Sequence, residues 1–121
     1  MRRSVRFLAA AMLCAAAAPA AVAADAVHGE EIYNSRCVAC HSPDANRVGP
    51  MHRGVFGRKA GALDNYTYSK ALKGSDFVWN DETLDKWLTN PQAFVPGQKM
   101  NFKVAKAEDR ADLIAYLKSL Q

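Results

Sequence analysis

The stretch Arg36-Cys37-Val38-Ala39-Cys40-His41-Ser42, "RCVACHS", carries the densest chemistry in this 121-residue chain. Two thiols three positions apart can form a redox disulfide, supply half of a zinc site or anchor a prosthetic group. The disulfide alternative wants a strand-to-helix context, which the surrounding sequence does not offer. The zinc alternative wants four ligands, and beyond the two thiolates and His41 only His28 and His52 remain, with no second C-x-x-C. A histidine directly after the second cysteine makes the pattern C-x-x-C-H, which reads as covalent attachment of haem c. On a helical segment, residues three apart share a face. Cys37 and Cys40 can then reach two neighbouring vinyl groups of one porphyrin edge while His41 points its imidazole at the iron from one side.

Towards the amino terminus, Arg2, Arg3 and Arg6 precede an alanine-rich apolar run from Leu8 to Ala18 and the small-residue exit "PAAVAAD", Pro19 to Asp25. This order of basic head, short apolar middle and A-x-A exit describes a secretory signal peptide over residues 1–24, cleaved after Ala23 or Ala24. The domain proper is then residues 25–121, exported to the periplasm. Cys14 lies inside the apolar run behind Leu13, where a lipoprotein signal wants a small residue, so it leaves with the leader. Nothing later approaches the roughly 20 apolar residues of a membrane span, so no stable membrane insertion is expected. Without the leader the chain holds thirteen basic and twelve acidic side chains, a net of +1. The high pI of the whole sequence therefore gives no argument for a nucleic-acid partner, and no phosphate loop or basic repeat is present. A domain this small buries a modest core, and a cofactor is a natural supplement to it.

Periodicity predicts helices and no strands. The first spans about Val27 to Val38, with Gly29, Tyr33, Cys37 and Cys40 along one stripe. A second, short one covers Asn65 to Lys73, where Tyr68, Ala71 and Leu72 recur at helical spacing before Gly74. A third opens on Asn80 as N-cap, sets Asp81 and Glu82 in its first turn, buries Leu84, Trp87 and Leu88, and must end before Pro91. The last runs from about Glu108 to Leu120 with Leu113, Ile114, Leu117 and Leu120 facing inward. No repeat or linker divides the chain, which reads as one all-α domain.

The segments "GEEIYNSRCVACH", "GPMHRGVFGRKAG", "NYTYSKAL", "FVWNDETLDKWLTNP", "VPGQKM" and "DRADLIAYLKSL" follow one another in the order found in class I c-type cytochromes. In them the chain resembles the soluble bacterial members close to the mitochondrial type, over nearly all of residues 25–121. The resemblance implies a small cytochrome c fold of three to five helices around one haem, with the first and last helices crossing closely and Gly29 set against the face of Leu113 and Tyr116. It implies no catalysis: the chain is a monomeric electron carrier, not an enzyme.

For the second iron ligand, Met51 follows His41 by ten residues on the connection leaving the histidine side. Met100 follows His41 by 59 residues, in a loop without helix periodicity held by Pro91 and Pro96, and it matches the family's axial methionine. His41 and Met100 are therefore the expected metal ligands. A thioether opposite an imidazole favours ferrous iron and raises the potential, and filling both axial positions leaves none for substrate.

By resemblance, Pro50 supplies the carbonyl that orients the ligating imidazole, and Arg58, Tyr68 and Trp79 serve the inner haem propionate. Phe102 shields the haem edge beside the methionine. Three residues depart from the family pattern. His52 stands where an apolar residue commonly faces the haem, Leu72 where an asparagine often lies, and Gln98 where a threonine often precedes the Lys-Met pair. Redox protein partners are expected to dock at the exposed haem edge, with Arg36, Lys70, Lys73, Lys86, Lys99, Lys103 and Lys106 as the candidate basic ring. Two other functions fit the same residues: a dedicated cytochrome subunit of a periplasmic dehydrogenase, and a haem enzyme in which a small ligand displaces Met100.

Overall fold

A computed structural model describes residues 14–121. The basic head of the expected leader and most of its apolar run, residues 1–13, lie outside the described residues. Residues 14–24 are exposed and carry no regular secondary structure. Five helices follow: α1 (Ala26–Arg36), α2 (Lys70–Lys73), α3 (Asp81–Thr89), α4 (Pro91–Phe94) and α5 (Ala107–Ser119). Among the described residues the only β-type pairing is a single bridge between Lys59 and Val78.

The frame is the crossing of α1 and α5. A Cβ built on Gly29 would lie 2.0 Å from the backbone oxygen of Asp112, so only hydrogen fits between the two helices there. Asp25 caps α1, its carboxylate accepting from the amides of Val27 and His28. Asp112 fastens the same end from the other helix. It accepts the Asp25 amide at 2.7 Å on one oxygen and approaches His28 Nδ1 at 2.8 Å with the other. Behind the crossing, Tyr33, Leu113, Ile114 and Leu117 are buried, as the inward stripe of α5 predicts.

Helix α3 opens on Asn80 with a reciprocal capping box to Thr83 and lays Leu84 and Leu88 into the core, with Trp87 half-buried beside them. It is tied to the chain entering α5 by the Val104 amide on the Leu88 carbonyl at 2.8 Å, and by Arg110 Nε on Asp85 at 2.7 Å.

Three element boundaries differ from the expectation. Helix α1 ends at Arg36, and Cys37 to Cys40 form a turn in which the amides of Cys40 and His41 both donate to the Cys37 carbonyl, at 3.1 and 2.8 Å. The shared-face geometry of the two cysteines therefore comes from a turn and not from a continuing helix. The second helix is only one turn long, because Ser69 adopts an extended conformation and caps Leu72 with its hydroxyl, leaving residues 65–69 irregular. Helix α4 was not expected at all. Pro91 forces Asn90 into an extended conformation, which ends α3, and then occupies the first position of a new turn whose Ala93 amide is capped by Asn90.

A candidate cofactor cleft

The core is split by a cleft whose empty space, counted out through its open mouth, is about 990 Å³. Most of its wall is apolar: Val55, Leu72, Trp79, Leu84, Leu88 and Leu113 are among the side chains that form it. Cys37, Cys40, His41 and Met100 all line this one cleft. Burial pushes the Cys37 thiol up to about 11, so it enters the cleft protonated.

His41 Nδ1 lies 3.0 Å from the Pro50 carbonyl. A carbonyl can only accept, so Nδ1 carries the proton and Nε2 keeps its lone pair free to ligate a metal. Burial holds the His41 pKa below the ordinary imidazole value, against the opposing pull of the Pro50 bond, and so favours this neutral form. Gly49 leaves room for the ring, since a Cβ there would sit 2.1 Å from His41 Cε1. His52 also lines the cleft and stacks on His41, ring centroids 4.1 Å apart and planes 19° from parallel. Its flat imidazole is held through Nδ1 by the Tyr33 hydroxyl at 2.9 Å.

Met51 is not among the lining residues. Its backbone is occupied instead, the amide donating to Asn46 at 2.9 Å and the carbonyl accepting from Arg58 at 2.7 Å. Met100 is half-buried. Its amide donates to Oε1 of Gln98, whose Nε2 donates to Gln92 at 3.2 Å. Nothing in the sequence pattern suggests that contact.

Arg58, Tyr68 and Trp79 all line the cleft. Backbone hydrogen bonds of Gly57 and Arg58 with Trp79, 2.7 and 2.9 Å, bring the arginine and the indole to neighbouring positions. Tyr68 accepts from the Leu63 amide at 3.2 Å, which leaves its own hydroxyl hydrogen as a donor. Phe102 lines the cleft while 39 % exposed, so it stands at the open edge. Leu72 is a buried part of the wall.

The donor set is two thiols on one turn, an imidazole with a free Nε2, a thioether from a distant loop, and three donors for acidic groups, all around an apolar slot. These residues fit an iron porphyrin with its vinyls, axial positions and propionates. Among the described residues no three His, Cys, Asp or Glu side chains gather so as to hold a metal ion by themselves.

The family model for cytochrome c matches residues 26–121. The chain belongs to the cytochrome c family. Cytochrome c of Euglena viridis is 46% identical over 100 residues, which cover 80% of this chain and 98% of that protein. Cytochrome c2 of Blastochloris viridis is 43% identical over 111 residues, covering 88% of this chain and 86% of the other. The solved structure of cytochrome cH from Methylobacterium extorquens superposes with a TM-score of 0.75 at 43% identity, covering 78% of this chain and 98% of that one. Membership brings one covalently attached haem c and the role of an electron carrier working with redox partners rather than of an enzyme. The small all-α cytochrome c fold is the observed one.

Proposed function

We propose that the chain is a periplasmic one-electron carrier whose haem c is joined through Cys37 and Cys40 and ligated axially by His41 and Met100. The single observation that carries this is the convergence of all four side chains on one cleft, two of them separated by 59 residues of sequence. Haem, once bound, supplies a one-electron couple between Fe(II) and Fe(III). Pro50 orients the His41 ring, and the apolar wall keeps water from the metal so that little reorganises when charge changes. Arg58, Tyr68 and Trp79 offer hydrogen bonds to a propionate that would otherwise be buried unpaired, and Phe102 covers the edge. The leader, residues 1–24, is removed on export, leaving a monomer of residues 25–121.

Docking is proposed at the open edge of the cleft through basic side chains. Among the described residues Lys70, Lys73, Lys99, Lys103 and Lys106 are exposed and lack a salt bridge, whereas Arg36 pairs with Asp109 at 3.6 Å and Lys86 with Glu82 at 2.7 Å. The unpaired group is the better placed to meet an acidic partner.

The absorption spectrum of the ferric protein tests the ligand set. Low-spin haem with the weak sulfur-to-iron band is the expected result. High-spin ferric haem would overturn the carrier in favour of an enzyme with an open iron position.

A further inference from the structure

We propose that Gln98 is a positioning residue for Met100: its side chain is a strap that holds the methionine loop closed, and so sets how easily another ligand takes the thioether's place on iron. This rests on Met100 being the axial ligand. The loop itself is short of other restraints. The Gln98 amide closes a turn on the Val95 carbonyl at 3.1 Å, and the next backbone anchor is the Val104 amide on Leu88. Between them, among the described residues, the one hydrogen bond made by residues 99–103 is that of the Met100 amide to Gln98 Oε1.

Gln98 is also placed as a strap should be. Its polar side chain is 7 % exposed, and a buried amide is costly unless both of its ends find partners. One end takes the Met100 amide and the other reaches Gln92 on α4, which Asn90 caps and Pro91 starts. The strap thus ties the ligand's own backbone to a formed helical turn. Gly97, at φ +90°, precedes it and allows the chain to swing if the strap is cut.

Imidazole binding to the ferric holoprotein tests the strap, followed by loss of the sulfur-to-iron band. Gln98→Leu fills the same space without an acceptor, and the apparent imidazole affinity should rise about ten-fold, the equivalent of one lost hydrogen bond and its buried amide. Gln98→Glu keeps the acceptor for the Met100 amide but loses the donor to Gln92, and should give a smaller rise than Gln98→Leu. Gln92→Ala removes only the anchor and should give a smaller rise. Hydrogen exchange of the Met100 amide gives an independent reading: protected in the unsubstituted protein and fast in Gln98→Leu. Parent-like imidazole affinity and parent-like exchange in Gln98→Leu would overturn the strap. Absence of the sulfur band before any substitution would overturn the ligand assignment instead, with the exchange measurement still deciding whether Gln98 holds the loop. If Gln98→Leu does not fold, Gln92→Ala, altered at the exposed end, decides by the same two measurements.

Discussion

The Tyr33 hydroxyl and His52 Nδ1 share a 2.9 Å hydrogen bond, and the imidazole so held lies flat against His41 at 4.1 Å. Tyr33 is 1 % exposed and is raised above the ordinary phenol range chiefly by burial, so it stays a neutral partner at any working pH. Removing the imidazole strands the buried Tyr33 hydroxyl away from water, and removing the hydroxyl leaves the part-buried imidazole without its partner. Tyr33→Phe and His52→Leu should therefore each destabilise the holoprotein by about 1–3 kcal/mol, while the double substitution should cost clearly less than their sum. Denaturant titration of the four proteins checks this. Strict additivity would mean that the pair contributes no coupling.

Gly29→Ala opposes two effects of different size. Alanine inside a helix gains about 1 kcal/mol over glycine, but here the new methyl meets the Asp112 backbone at 2.0 Å, and backbone cannot swing aside. The clash wins, with an expected net loss of about 3 kcal/mol or more, read as a fall in thermal midpoint or failure to accumulate folded holoprotein. A neutral substitution would show that the helices can separate at little cost.

Met100→Ala should abolish the sulfur-to-iron band and lower the reduction potential. Met51→Ala should leave both unchanged, because Met51 does not line the cleft and its backbone bonds to Asn46 and Arg58 survive the substitution. Spectra and redox titrations of the two variants are sufficient, and a reversed pattern would move the ligand to Met51.

The His28 and Asp112 pair at the α1–α5 junction predicts a pH window. The hydrogen bond that His28 donates to Asp112 raises the His28 pKa in the folded state, so its stabilisation is complete below the ordinary value of about 6.5 and fades as pH climbs through the higher folded value. The Asp25 amide, then His28, hold Asp112 below its ordinary value, so that part is complete above about pH 4 and is lost as pH falls through the lower folded value. His28→Gln should flatten the decline in denaturant midpoint as pH rises from about 6.5 through the higher folded value. An unchanged slope in that interval would place the pH dependence elsewhere.

Elements whose signals are local were legible in order and type. Asn80 with Thr83, the stop at Pro91 and the inward face of Leu113, Ile114 and Leu117 each depend on neighbours within a turn or two. The short α2 and the unexpected α4 were less so. Ser69 and Asn90 are each compatible with continuing or capping, and contacts from elsewhere decide which. The Tyr66 hydroxyl, for example, donates to the Val48 carbonyl at 2.7 Å, binding the segment before Ser69 to a loop eighteen residues away. Gln98 was visible only as a departure. Its partner amide is two residues on and its anchor six residues back, a spacing that matches no periodic pattern.

By itself the sequence determined the chemistry: two thiols and an imidazole in C-x-x-C-H, a thioether in a proline-held loop, and helices amphipathic enough to enclose a cofactor. Those are properties of composition and spacing, and they survive without coordinates. Only the tertiary structure decided that Met100 and not Met51 shares the cleft with His41, that His52 stacks on that imidazole, and that Gln98 restrains the methionine loop. Each of these joins segments through packing, where burial makes an unpaired polar group costly and so selects one partner among the many that the sequence alone allows.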